Sequence, residues 1–333
     1  MLREPHDAEA TDPGTPFRPD AMSAAADTGA SRADNLRGAL LMCGAMAAFT
    51  VNDTFMKALG AHLPLFQAVF LRGTLVTLAL LAVASWRGTL RLGLPRRDWN
   101  LLAVRTLAEI GAAYTFITAI FHMPLANATA ILQALPLTVT MAGALFLGER
   151  VGWRRWTAIG VGFGGMLLVV KPGAEGFDAW SLYVVAAVGF VTLRDIATRR
   201  ISAAVPSGMV AVVGAAGVTV WGGVMMLAEG AVPVPPAAWA LVAGAAGAVM
   251  LAYTCSVGTM RVGDVSFVAP FRYSSLLFAL VLGFAVFGEF PGPYTLAGAA
   301  ILMATGVYTL LRGSGRASPH PSAVAGQTVR ASR

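Results

Sequence analysis

Charge is what this chain of 333 residues has least of: Asp, Glu, Lys and Arg supply 12% of it, against roughly 25% in soluble domains. With 56% hydrophobic residues and a mean hydropathy of +0.68, it has too little polar surface to clothe a water-soluble fold. Cysteine is scarce as well. Cys43 and Cys255 both fall in apolar runs, where each suits a small buried hydrophobe and neither indicates a disulfide or redox chemistry. Four histidines (His6, His62, His122, His320) stand far apart in tails or short outer loops, without metal-ligand spacing. An integral-membrane enzyme, the rival class, would gather such residues at one interface. No catalytic residue, metal or cofactor is therefore expected. No GxxxxGK[ST] loop is present, which excludes a P-loop ATPase within the chain. Nothing outside the apolar runs is large enough to be a folded signalling domain.

Basic residues are 22 Arg and 2 Lys, scattered between apolar runs. That distribution fits loop charge and not the basic stripe of a nucleic-acid binder. Apolar windows long enough to cross roughly 30 Å of hydrocarbon, about 20 helical residues, lie at 37–59, 65–85, 99–120, 125–147, 153–170, 179–199, 207–228, 237–259, 264–287 and 293–311. They predict an all-α integral membrane fold of ten transmembrane helices, because a backbone in lipid must satisfy its own hydrogen bonds and no barrel-like alternation is present. Turn chemistry separates the spans, at Pro64, Pro95, Pro124, Lys171-Pro172-Gly173, Pro206, Pro233 to Pro236, Arg261 to Gly263 and Pro291-Gly292-Pro293. Residues 1–34 and 312–333 read as disordered cytoplasmic tails. A cleaved signal peptide is not expected, since the first apolar run starts late, is long, and carries Asp53 and Lys57.

Fourteen arginines flank the spans on one side (Arg32, Arg37, Arg87, Arg91, Arg96, Arg97, Arg150, Arg154, Arg155, Arg199, Arg200, Arg261, Arg312, Arg316), and only Lys57 and Lys171 on the other. The positive-inside rule then puts both termini in the cytoplasm. Six of the seven tryptophans (Trp86, Trp99, Trp153, Trp156, Trp180, Trp239) fall at helix ends, as an interfacial belt requires.

The chain also echoes itself. Val51-Asn52-Asp53-Thr54-Phe55-Met56-Lys57 returns 142 residues later as Leu193-Arg194-Asp195-Ile196-Ala197-Thr198-Arg199. Tyr114-Thr115 returns as Tyr253-Thr254, 139 on, and Phe146-Leu147-Gly148-Glu149 as Val286-Phe287-Gly288-Glu289, 140 on. Five spans separate the copies, so the halves are inverted: 36–170 and 178–311, each of five helices. Inverted halves exchange conformations about a central site, which is the logic of alternating access.

The Gly-Glu endings of helices 4 and 9, Pro136 in helix 4 and Arg72 in helix 2 resemble the ten-helix EamA-type carriers of the drug/metabolite transporter superfamily over about residues 36–311. Within it, Asn52 to Lys57, Arg154-Arg155-Trp156 with Val161 to Gly165, and Ala269-Pro270-Phe271-Arg272-Tyr273 look most like a bacterial branch that takes up S-adenosylmethionine and riboflavin. The resemblance implies that helices 1, 3, 4, 6, 8 and 9 surround the pathway, with 5 and 10 at the edge. It implies an inner-membrane secondary transporter of a small metabolite, with riboflavin or S-adenosylmethionine uptake as the leading reading and export of amino acids or related metabolites as the alternative. The partners expected are the lipid bilayer and a small-molecule substrate, with no nucleic acid. A homodimer, and coupling to a proton or counter-substrate, are compatible with this reading.

Charges inside a span cost about 2.5–3.5 kcal/mol on insertion scales, and so mark pathway or gate candidates: Asp53, Lys57, Arg72, Arg105, Glu109, Arg194, Asp195 and Arg272, joined by Asn52, Tyr114, Gln133, Tyr253 and Tyr273 as polar or aromatic groups at similar depth. A purely structural role as locks or helix contacts is the alternative. Spacing of four predicts Asp53–Lys57 and Arg105–Glu109 pairs on their own helices. The bases outnumber the acids, which would suit an anionic or electron-rich substrate. Gly160 and Gly164, in GxxxG spacing within a stretch that literally matches GxGxxG, are expected to permit close helix packing; dinucleotide binding is excluded, because no strand precedes them.

Overall fold

The computed structural model describes residues 32–90, 93–149, 151–171, 178–262 and 265–313. Most of both expected tails, Arg91, Arg150, Arg316, the Pro172-Gly173 turn and Gly263 lie outside the described residues. Ten helical spans are found: α1 Arg32–Leu59, α2 Leu65–Trp86, α3 Arg96–His122, α4 in two pieces (Leu125–Leu132 and Leu135–Phe146), α5 Trp153–Val170, α6 Trp180–Arg200, α7 Ser207–Glu229, α8 Pro236–Val262, α9 (Val265–Val268, the 3-10 turn Ala269–Tyr273, then Ser274–Phe287) and α10 Pro293–Gly313. Nine of them are long and apolar enough to cross a membrane among the described residues. The tenth, α5, has 18 residues and spends its first turn on Trp153, Arg154, Arg155 and Trp156.

Proline sets the starts. Pro64, Pro95, Pro124 and Pro206 each occupy the N-cap, where the missing N–H removes nothing the helix needs. The helices reach into both expected tails: α1 begins at Arg32, with Asp34 in its first turn favoured by the helix dipole, and α10 runs through Gly313. Proline also breaks the fourth helix of each half. Pro136 cannot donate back to Leu132, and the chain turns at Gln133-Ala134. In α9 Pro270 opens the tighter 3-10 turn.

The main helix pairs are α1 with α8, α3 with α6, α2 with α7 and α5 with α10. Further contacts join α1 to α9, α4 to α6, α3 to α7, α2 to α8 and α4 to α9. Exchange each helix with the one five places on, and this set maps onto itself. α5 and α10 touch little beyond each other, α4 and α9, so they form an edge.

Large side chains face outward along the spans, among them Leu78 (57% exposed), Leu107 (66%) and Phe284 (63%). Such an exterior requires lipid as solvent. Trp86, Trp99, Trp153, Trp156 and Trp239 are exposed at helix ends, while Trp180 instead stacks on His122 at 4.0 Å. The core is densest where α1 and α3 end and α4 begins: Met56, Leu59, Ile120, Met123 and Leu125 are all fully buried there.

The α5–α10 edge corrects one expectation. A methyl group on Gly160 or Gly164 would meet nothing, so the GxxxG face is not the packing face. Gly165 and Gly162 are the close contacts: a Cβ at Gly165 would lie 2.9 Å from the Gly298 carbonyl oxygen, and one at Gly162 would strike Leu137. The neighbour, not the spacing motif, decides which glycine must be small. Accordingly, Gly165→Val or Gly298→Ala should lower thermal stability in detergent by about 1–3 kcal/mol through overpacking, while Gly160→Ala should be neutral or better.

Candidate functional site

Midway along the bundle, six of the charged residues expected from the sequence come together from four helices, with Tyr253 of a fifth beside them. Arg105 and Glu109, one turn apart on α3, pair at 3.0 Å. The other Glu109 oxygen meets Arg194 of α6 at 3.3 Å, and Arg194 also holds its neighbour Asp195 at 2.9 Å. Gly214 on α7 leaves the space that the Arg105 guanidinium fills, since a Cβ there would collide with Nη1. On α1, Asn52 is 5% exposed; its amide donates to Asp53 Oδ1 at 2.9 Å and accepts from Arg72 Nη1 of α2 at 3.1 Å. Tyr253 of α8 is near enough to feel the charges of Arg72, Arg105, Glu109 and Arg194. It stands edge-on to Phe49 at 5.7 Å yet is 42% exposed.

Other candidates go elsewhere. Tyr114 joins an aromatic cluster, stacked on Phe66 at 6.0 Å and edge-on to Trp221 at 5.9 Å, with Tyr183 beside it. Gln133 sits in the break of α4 and donates to the Tyr273 carbonyl (3.2 Å) and Ser275 hydroxyl (3.3 Å) in the break of α9, supplying a partner where the irregular backbone lacks one. Tyr273 is buried and packs against Gly306 of α10, away from the charges. Arg272 is exposed on the 3-10 turn and does not join the network among the described residues.

Lys57 does not pair with Asp53. It reaches Glu289 at the end of α9 (2.8 Å), donates to the Met123 carbonyl, and lies over the Phe287 ring. Glu289 in turn accepts from the Leu125 amide at 3.2 Å. Contact across helices overrides the four-residue spacing, because helix ends bring four chain segments to one point. The same happens at the opposite end: Arg199 of α6 meets Glu149 at 2.9 Å, and Arg200 donates to the Phe146 carbonyl at 2.7 Å. Gly148 and Gly288, at φ +69 and +67, turn each chain left-handed so that the following glutamate's N–H returns to the Gly143 or Gly283 carbonyl, aiming its carboxylate inward. Glu149 and Glu289 had been legible only as motif endings. Their 140-residue spacing, set beside the 142 between Lys57 and Arg199, was the signal that joins them. The pairing also removes the cationic surplus. With Lys57 neutralised and Arg272 apart, Arg72, Arg105 and Arg194 balance Asp53, Glu109 and Asp195.

Residues 36–171 match the EamA-like transporter family. The chain is 27% identical over 272 residues to the S-adenosylmethionine uptake transporter of Rickettsia conorii, covering 78% of this chain and 88% of that one. It is 27% identical over 271 residues to the riboflavin transporter of Vibrio cholerae (80% and 91% covered) and, at the same identity and length, to a pseudopaline exporter of Pseudomonas aeruginosa (80% and 93%). A crystal structure 20% identical in sequence shares the fold, with a TM-score of 0.60 over 84% of this chain and 99% of that one. Residues 36–171 are thus an EamA-family domain of the drug/metabolite transporter superfamily, carried by a multi-pass membrane transporter of small metabolites.

Proposed function

We propose that this transporter is a secondary carrier of the bacterial inner membrane, with both termini cytoplasmic, that takes up S-adenosylmethionine or riboflavin by rocking two inverted repeats, 36–170 and 178–311. The observation that carries the reading is the pair of crosswise ion pairs, Lys57–Glu289 and Arg199–Glu149, one at each end of the central polar network. Each joins a residue of one half to a residue of the other. They are the bonds that must break in turn if the halves rock. With positive-inside topology, Lys57–Glu289 is the outer gate and Arg199–Glu149 the inner.

The gates differ in strength. At the outer one the side chains are 10% and 26% exposed, at the inner one 46% and 47%. An exposed pair contributes about 0.2–1 kcal/mol, whereas stranding one partner of a sheltered pair costs several times more. The resting balance therefore favours opening toward the cytoplasm. Export is the second reading, favoured by the similarity to a pseudopaline exporter.

Uptake of labelled S-adenosylmethionine and of labelled riboflavin, in cells lacking carriers for them, should exceed controls for one of the two. Accumulation of neither, with loss of a metabolite from expressing cells, would favour export. Lys57→Glu and Glu289→Lys should each slow transport by roughly tenfold or more, with the double variant recovering much of the rate. The corresponding reversal at Arg199 and Glu149 should have smaller single effects. Failure of both double variants to recover would remove the gate assignment.

A further inference from the structure

Nearly every charge within the bundle is matched. Lys57 has Glu289, Arg199 has Glu149, and Glu109 and Asp195 share Arg105 and Arg194. Arg272 stands exposed on its turn, and Asp53 and Arg72 are the remaining exceptions: each is half-buried, and among the described residues neither makes an ion pair. They lie close enough to feel one another's charge. Asn52 stands between them, accepting from Arg72 and donating to Asp53. Arg72 Nε is moreover buried and lacks a hydrogen-bond partner. A buried donor left open beside a carboxylate with one side unused calls for a ligand that supplies both an acceptor and a cation. Tyr253 of α8, 42% exposed, and Glu109, which Arg194 already holds, are the other groups near Arg72.

We propose that Arg72 and Asp53 form the docking site for a zwitterionic α-amino-acid head group. The substrate carboxylate accepts from the Arg72 guanidinium, Nε included. Its ammonium donates to Asp53, and Asn52 holds the two at the right separation. The two head-group charges sit on one carbon, which suits an arginine and an aspartate spaced by a single amide. The guanidinium fork provides the geometric selection. The rest of the substrate extends past Tyr253. This rests on the carrier reading and chooses within it: a neutral flavin would leave Arg72 and Asp53 unmatched, whereas S-adenosylmethionine carries such a head.

The test is ligand-induced thermal stabilisation of the full-length protein in detergent, titrated with S-adenosylmethionine, its decarboxylated and N-acetylated analogues, free methionine and riboflavin. Removal of either head-group charge should weaken binding by about tenfold to a hundredfold. In Arg72→Lys and Arg72→Gln the penalty for losing the carboxylate should shrink while the penalty for N-acetylation persists; Asp53→Asn should do the reverse. Each comparison is a ratio within one variant, so partial misfolding does not imitate it. The proposal is overturned if both analogues bind as tightly as the parent, if riboflavin binds and neither S-adenosylmethionine nor methionine does, if none of the compounds binds, or if the variants leave both penalties unchanged. The expected binding pattern without movement into proteoliposomes would sink the carrier reading and leave the site standing.

Discussion

A charge that enters lipid must find its partner inside the protein, and most of what distinguishes this bundle follows from that one requirement. Water cannot serve as the default counter-dipole within the hydrocarbon, so Arg105, Glu109, Arg194 and Asp195 converge from α3 and α6 into one balanced chain of contacts. The convergence fixes the mutual placement of those helices. It also explains Gly214 on α7, which is small because the Arg105 guanidinium occupies the space beside it. The same requirement governs the backbone. Where proline interrupts α4 and α9, Gln133 spans the two breaks and supplies a donor that the helices no longer provide.

At the ends of the bundle the requirement produces two similar but unequal locks. Both rest on a Gly-Glu helix ending, and both reach across to a base of the other half. The Lys57 lock sits on the densest part of the core, with Met56, Leu59, Ile120, Met123 and Leu125 fully buried about it, and it gains further bonds to the Met123 carbonyl and from the Leu125 amide. The Arg199 lock is open to solvent. The two pairs are thus related by the exchange of helices five apart but differ in how far they are sheltered. A second difference lies between them: the first half carries Arg72 on α2 where the second has Gly214, 142 residues on, and the second carries Arg194 where the first has Asn52. The first half brings Arg72 on α2 and Arg105 on α3 and the second Arg194 on α6, so the network is chemically lopsided although the scaffold repeats.

Much of this was legible in one dimension. The ten spans, their proline starts and the exchange relation between helices five apart follow from apolar length, turn residues and the 139- to 142-residue echoes. Those are local or additive signals, and the packing agrees with them. The Arg105–Glu109 pair was readable for the same reason, as both residues share one helix face. Lys57 defeated the same rule because a helix end is where other segments arrive, and Glu289 lies 232 residues away. Gly160 and Gly164 defeated the packing motif because the facing surface of α10 meets Gly162 and Gly165 instead.

The sequence by itself therefore determined the solvent, the number of crossings and the duplication, since hydropathy and repetition are properties summed along the chain. Only the tertiary structure decided which charges neutralise one another, which glutamates meet Lys57 and Arg199, and that Asp53 and Arg72 are left without an ion pair beside Asn52. Pairing in a membrane is a competition among all charges within reach. Reach is set by how helices distant in sequence are brought together.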